Sequence, residues 1–253
     1  FHVGKQREDV IRLGVLGDWE NPYLSLNKSF EADTVRALGR IIANGHLEKG
    51  EKPVHFCMDC RSALAEAEVE YMDKSSHSID VKFKVLPQFV DSLCSSFNTE
   101  RLEQIYFVIW TTTPWTIPSN VAVCINGDIE YVLVKGANEH FVIAKDLLDA
   151  CSNRWGFDLE SLGCAQGKDI ANISMAHPLY DRESILLHGD HVNTESGTGC
   201  VHTAPAHGLD DYFICIKNGL ESVKALDNRG LFKENYGTLS GLSTKKGDPV
   251  VID

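Results

Sequence analysis

A chain of 253 residues, 43% hydrophobic and 24% charged, has enough apolar material for one large core. Its formal charge of −12 and pI near 5.3 exclude a free-standing basic nucleic-acid binder, whose affinity comes from neutralised phosphates, but still allow a pocket to which a nucleic-acid end is delivered. No apolar run approaches the ~18 residues needed to span a bilayer, so no membrane partner is expected. Eight scattered cysteines are too sparse for a disulfide scaffold and fit a reducing compartment.

Residues 1–50 read as a connector with one good helix, in which Val35, Leu38, Ile41 and Ile42 fall at helical spacing before an Asn44-Gly45 stop. Residues 51–230 have the texture of short strands separated by turns. Val81, Phe83 and Val85 alternate with lysines as in a half-buried strand, and Ile105 to Trp110 is a continuous apolar run expected as a buried one. Val121–Ile125 and Ile129–Val134 flank Asn126-Gly127-Asp128, which predicts a hairpin. Lys135-Gly-Ala-Asn138 then turns the chain into a strand over Phe141–Ala144.

A short helix carries Leu147, Leu148, Cys151 and Trp155, further strands are expected at Ile185–Leu187 and Cys200–Thr203, and a helix over Leu209–Asn218 stops at Gly219. Residues 231–253 read as a return connector. The pattern predicts an α+β fold with a barrel-like mixed β-sheet core and peripheral helices. The chain opens on Phe1 and stops within an apolar run, Val250-Val251-Ile252-Asp253, so it is read as a piece of a longer protein.

Three segments have residues suited to chemistry. In Trp110-Thr-Thr-Thr-Pro-Trp-Thr116, Pro114 forbids continuation of the strand, leaving Thr111, Thr112 and Thr113 where hydroxyls and unpaired backbone groups meet a loop. The alternative is a plain strand end with threonines chosen for β-propensity. Gly197-Thr-Gly-Cys-Val-His202 allows close backbone approach and ends in a histidine, which is more often structural than catalytic. Asp210 and Asp211 open a helix, where an acid either caps the N-terminus or faces a pocket and pairs with a ligand ammonium. Physics alone leaves that choice open.

Cys57-Met-Asp-Cys60 has the spacing of half a zinc site, but no second close pair completes it, and His177, His188 and His191 form no recognisable ligand set. No metal is therefore expected; a zinc-bound structural module around Cys57 and Cys60 is the competing reading. Phosphate-cradling glycine loops and a Gly-x-Ser-x-Gly elbow are both missing.

Taken together, these segments resemble the editing insertion, connective peptide 1, of the isoleucyl class I tRNA synthetases. The resemblance is carried by Leu13-Gly-Val-Leu-Gly-Asp-Trp-Glu-Asn-Pro-Tyr23, Pro53-Val-His-Phe-Cys-Met-Asp-Cys60 and Ala63-Leu-Ala-Glu-Ala-Glu-Val-Glu-Tyr71. It continues through Trp110-Thr-Thr-Thr-Pro-Trp-Thr-Ile-Pro-Ser-Asn120 and Gly197-Thr-Gly-Cys-Val-His-Thr-Ala-Pro-Ala-His-Gly-Leu-Asp-Asp-Tyr212. Valyl and leucyl relatives carry an arginine where Thr113 stands here. The His-Ile-Gly-His and Lys-Met-Ser-Lys-Ser signatures of the ligation site are not found in this sequence.

The resemblance implies hydrolysis of valine misattached to tRNA(Ile), with Asp211 on the α-ammonium and Thr111, Thr112, Thr113, Thr116 and Asn120 around the terminal adenosine and ester. His202 would stand beside the amino-acid side chain and help to exclude isoleucine, and donors near Thr112 would stabilise the oxyanion. Its implied partners are the 3′ end of tRNA(Ile) and the rest of the synthetase, in a monomeric chain of a bacterial cytoplasm or an organelle matrix. ATP and magnesium would belong to the ligation core, with no cofactor in the editing domain. An inactive tRNA-contacting insertion and a valyl- or leucyl-type editing domain are the alternatives.

Overall fold

A computed structural model describes residues 1–253 and divides them into two compact units, Phe1–Glu51 and Lys52–Asp253. The first holds α1 (His2–Arg12) and α2 (Lys28–Ala43). The periodicity of Val35, Leu38, Ile41 and Ile42 does form a helix, capped at Asn44 before Gly45 at φ +74°, but within this unit those side chains stay exposed. Helix α1 is a second helix where the sequence predicts one.

The second unit contains a two-stranded hairpin, β1 (Phe56–Cys57) with β2 (Ser62–Ala63), and a nine-stranded mixed sheet. The sheet strands are β3 (Ile79–Val85), β4 (Tyr106–Thr111), β5 (Ala122–Ile125), β6 (Glu130–Gly136), β7 (Glu139–Ala144), β8 (Glu160–Gln166), β9 (Ser174–Ala176), β10 (Glu183–His188) and β11 (Val201–Thr203). Their spatial order is β11-β5-β10-β9-β3-β4-β7-β6-β8. Helices α3 (Val90–Ser96), α4 (Leu148–Trp155), α5 (Leu209–Lys217) and α6 (Thr244–Ile252) accompany the sheet.

The barrel-like expectation needs refinement. The sheet is mixed and extensive but does not close, since its terminal strands β11 and β8 are not paired. It curls enough for β11 to lie against β4, five places along the order. That curl brings the end of β4 and the middle of β11 together, and it is what positions the site.

One expectation is overturned. The turn at Asn126-Gly127-Asp128 does not make a hairpin, because β5 pairs with β10 and β11 while β6 pairs with β7 and β8. A tight two-residue hairpin of that sequence needs left-handed backbone, and Gly127 is not in that region. Asn126 instead accepts the Asp128 N–H on Oδ1 and donates Nδ2 to Val192 O, so the chain is redirected toward a different part of the sheet. The real two-residue hairpin joins β6 to β7, with Ala137 and Asn138 at φ +48° and +65°.

The core fills with the residues whose alternation marks strands: Phe83, Phe107, Ile109, Leu133 and Ile143 are wholly buried, whereas Lys82 and Lys84 point outward. Residues 231–253 pack into the same unit. There Phe232, Tyr236 and Leu239 form an apolar cluster with Trp115, Val250 and Val251.

Candidate functional site

Strand β4 ends at Thr111, opposite Ile79 of β3, and Pro114 opens a 3-10 turn over Pro114–Ser119. Proline has no N–H for the ladder, so the strand must give way here. Within the resulting loop the threonines bond to one another. Thr111 Oγ1 accepts from Thr113 N–H at 3.1 Å, and Thr116 Oγ1 donates to Thr113 O at 2.8 Å.

His202 arrives on β11, paired with Val123 of β5. Its Nε2 lies 2.9 Å from Thr116 Oγ1, and its Nδ1 lies 2.8 Å from Asn120 Nδ2. The proton positions follow from the partners. Asn120 Nδ2 also donates to Ala122 O at 2.8 Å, and Asn120 Oδ1 accepts from Ser184 Oγ at 2.7 Å, which fixes the amide orientation. Asn120 therefore donates to Nδ1, so the imidazole carries its proton on Nε2 and donates that N–H to Thr116 Oγ1. Thr116 Oγ1 in turn donates its hydroxyl hydrogen bond to the Thr113 carbonyl.

Both nitrogens of His202 are thus occupied, and burial, with His177 and His207 near, pushes its pKa down to about 3. It is a neutral side chain, held at both nitrogens, in the wall of a cavity. An imidazole with both nitrogens hydrogen-bonded fits shape selection better than proton transfer.

Helix α5 follows the N-cap residue Gly208 and carries the two acids. Asp210 is exposed, whereas Asp211 is half-buried and its Oδ2 accepts the Ala204 N–H at 2.8 Å. A Cβ at position 208 would stand only 2.7 Å from Asp211 Oδ2, so glycine is what leaves the carboxylate its place. Its Oδ1 carries no hydrogen bond from the chain. Burial raises the Asp211 pKa above its usual value, with the Ala204 N–H acting the other way. Of the two roles left open for this pair, Asp211 takes the pocket-facing one and Asp210 remains in solvent.

Thr111, Thr113, Thr116, His202 and Asp211 all line one cavity of about 560 Å³. Val201, Ala206, His207, Trp115 and Gly208 also line it, as do Phe56, Met58, Leu226, Asp227 and Gly230. Two members of the expected set stand off the lining. Asn120 is fully buried one layer behind His202, where it orients the imidazole. Thr112 lies exposed at the bend after β4, with its N–H and hydroxyl unbonded within the chain.

His207 and Trp115 are not among the site residues that the sequence suggests. His207 Nε2 is 3.0 Å from Ser119 Oγ, its ring meets Trp115 edge-on at 4.8 Å, and burial pushes its pKa down to about 4. Both residues sit inside the quoted motifs, but that they share a wall depends on contacts between segments far apart in the chain.

The Gly197-Thr-Gly199 segment serves packing rather than this cavity. Gly197 and Gly199 adopt φ +84° and +77°, and a Cβ at 199 would come within 2.2 Å of Ala144 Cβ. Cys57 and Cys60 face each other across the β1–β2 turn, Cys57 Sγ accepting the Cys60 N–H at 3.3 Å. No group of three or more His, Cys, Asp or Glu side chains is arranged to hold a metal ion.

The family described as tRNA synthetases class I (I, L, M and V) matches residues 2–214. The chain belongs to the class I tRNA synthetases. It is 46% identical over 252 residues to the isoleucine–tRNA ligase of Thioalkalivibrio sulfidiphilus, and 47% identical over 253 residues to that of Pasteurella multocida. In each case the match covers 99% of this chain and 27% of the relative, so the chain spans about a quarter of the synthetases it matches. The editing domain of the cytosolic leucyl-tRNA synthetase of P. knowlesi superposes with a TM-score of 0.55, over 72% of this chain and 93% of that one. At 13% identity this last likeness is one of fold. The class I synthetase chain thus carries the editing-domain fold, while its high-identity relatives are isoleucine ligases.

Proposed function

We propose that the unit Lys52–Asp253 is the hydrolytic editing domain of an isoleucyl-tRNA synthetase and releases valine esterified to the 3′ end of tRNA(Ile). The observation that carries this reading is the single cavity that gathers the threonine loop, His202 and Asp211. The likeness to isoleucine ligases supports the choice of substrate: with isoleucine as the cognate residue, the misattached one is a smaller neighbour.

An apolar pocket discriminates one methylene by only about 10- to 200-fold, isoleucine against valine being the familiar illustration of that limit. A second cavity that admits the smaller side chain and excludes the larger adds the missing factor. Rigid walls are required, and the chain Ser184–Asn120–His202–Thr116–Thr113 supplies them with every polar atom partnered.

The free Oδ1 of Asp211 holds the α-ammonium by a charge-assisted contact. Water attacks the ester carbonyl carbon, the tetrahedral oxyanion forms, and the bond to the ribose oxygen breaks as that oxygen takes up the proton. An aminoacyl ester is activated already, so no covalent enzyme intermediate and no cofactor in this unit are needed. Thr112 stands outside the lining but between its members Thr111 and Thr113, and its exposed N–H and hydroxyl are the proposed oxyanion donors. ATP and magnesium are assigned to the ligation core of the full synthetase.

The test is deacylation of valyl-tRNA(Ile) by the full-length synthetase. Release of valine faster than spontaneous hydrolysis, abolished by Asp211→Ala, supports the reading. A wild-type enzyme that releases valine no faster than buffer would make the unit a tRNA-contacting insertion instead.

A further inference from the structure

Helix α6 lies outside residues 2–214, where the family matches, and carries none of the residues discussed for the reaction. Yet Asp248 on this helix accepts, through Oδ1, a 2.8 Å hydrogen bond from the backbone N–H of Trp115 across 133 positions of sequence. That N–H is a particular one. In the 3-10 turn Pro114–Ser119, Pro114 has no N–H and Thr116 N–H closes onto Thr113 O, so Trp115 alone is left with an unpaired donor in the first turn. Thr113, the residue before the turn, offers no side-chain cap.

The carboxylate is held in place by the helix that bears it. Gly247 lets α6 approach Phe232 so closely that a Cβ would fall 2.5 Å from the ring. Val250 and Val251 pack beside Trp115 in the cluster of Phe232, Tyr236 and Leu239. Asp248 is therefore a cap for the threonine loop, supplied by a remote element.

We infer that Asp248 is a positioning residue of the editing site. Acting through the Trp115 N–H, it fixes the turn that carries Thr113 and Thr116, and through Thr116 Oγ1 it fixes the seat of His202. The effect on activity rests on the hydrolytic reading above; the structural part does not.

The experiment compares wild type, Asp248→Ala and Asp248→Asn in the full-length synthetase. Steady-state deacylation of valyl-tRNA(Ile) is measured together with hydrogen exchange of the peptide covering residues 111–120. Loss of a hydrogen bond to a charged acceptor corresponds to roughly 10- to 100-fold. Asp248→Ala is expected to lower kcat by that factor with KM within about threefold, because the ammonium contact at Asp211 is untouched. Asp248→Asn, which keeps an acceptor oxygen, is expected to return to within about threefold of wild type. Exchange of the peptide should accelerate in the alanine variant and stay slow in the asparagine variant.

Unchanged exchange in Asp248→Ala would overturn the inference, as would an asparagine variant as impaired as the alanine one. Should the wild type show no deacylation while exchange still follows the acceptor, the hydrolytic reading fails and the capping role stands.

Discussion

Replacing His202 by alanine tests both the wall and the network behind it. The substitution removes the acceptor of one Asn120 N–H and the donor to Thr116 Oγ1, while Asn120 keeps Ala122 O and Ser184, and Thr116 keeps Thr113 O. One buried donor left unpaired costs about 1–3 kcal/mol. The void opens onto the existing cavity of about 560 Å³, so water can enter and the cost falls toward the lower end. For a unit of this size about 1–2 kcal/mol lowers Tm by roughly 2–8 °C.

The functional change should be larger in kind. A side chain longer by one methylene gains room, and discrimination against it, worth about 1–3 kcal/mol per methylene, is lost. Deacylation of valyl-tRNA(Ile) and of isoleucyl-tRNA(Ile) should be followed in parallel. The variant is expected to hydrolyse isoleucyl-tRNA(Ile) at least roughly 10-fold faster than wild type. A folded variant that still spares isoleucyl-tRNA(Ile) would refute the sieve role of His202.

Other consequences can be checked with the same assays. Asp211→Asn retains the shape and can still accept the Ala204 N–H but loses the charge, so KM for valyl-tRNA(Ile) should rise and kcat/KM should fall by roughly 10- to 100-fold, with Tm nearly unchanged. Asn120→Ala removes the group that orients the imidazole without touching the cavity; it should destabilise by about 1–3 kcal/mol in thermal melts and loosen selectivity toward isoleucyl-tRNA(Ile). The kcat/KM profile should show no step near pH 6.5, since His202 and His207 remain neutral down to about 3 and 4. Its acid limb belongs to Asp211, active when ionised; a raised pKa places the loss of activity at higher pH than for an ordinary aspartate as pH falls. A step near 6.5 that persists in Asp211→Asn would contradict this assignment.

Local physics explains what the sequence revealed and what it concealed. Alternation at Val81, Phe83 and Val85 marks β3 because one face is buried, and Pro114 marks the end of β4 because it cannot extend a ladder. Asn126-Gly127 misled because its turn chemistry suits a hairpin, while the pairing of β5 with β10 and β11 is decided by long-range packing that no short window contains. Strand β8, Glu160-Ser-Leu-Gly-Cys-Ala-Gln166, is half-exposed and holds a glycine against which a Cβ would strike Phe97 O at 2.2 Å, so it has little apolar signal.

The candidate site divides in the same way. Thr111, Thr113, Thr116, His202 and Asp211 sit in motifs that resemblance could single out, and the curl of the sheet brings them together. That Asn120 supports rather than lines the cavity follows from its burial and from the tautomer it imposes. The contribution of Asp248 was invisible in sequence because it is one carboxylate in a helix far along the chain, and its meaning depends on the single orphan N–H at Trp115.

The central claim is tested most directly by a crystal structure with a non-hydrolysable valyl-adenosine amide. The ammonium should lie within hydrogen-bond distance of Asp211 Oδ1, the isopropyl group should rest against His202, and the isoleucyl analogue should not bind in that pose. A valyl analogue seated away from Asp211, or an isoleucyl analogue seated equally well, would contradict it.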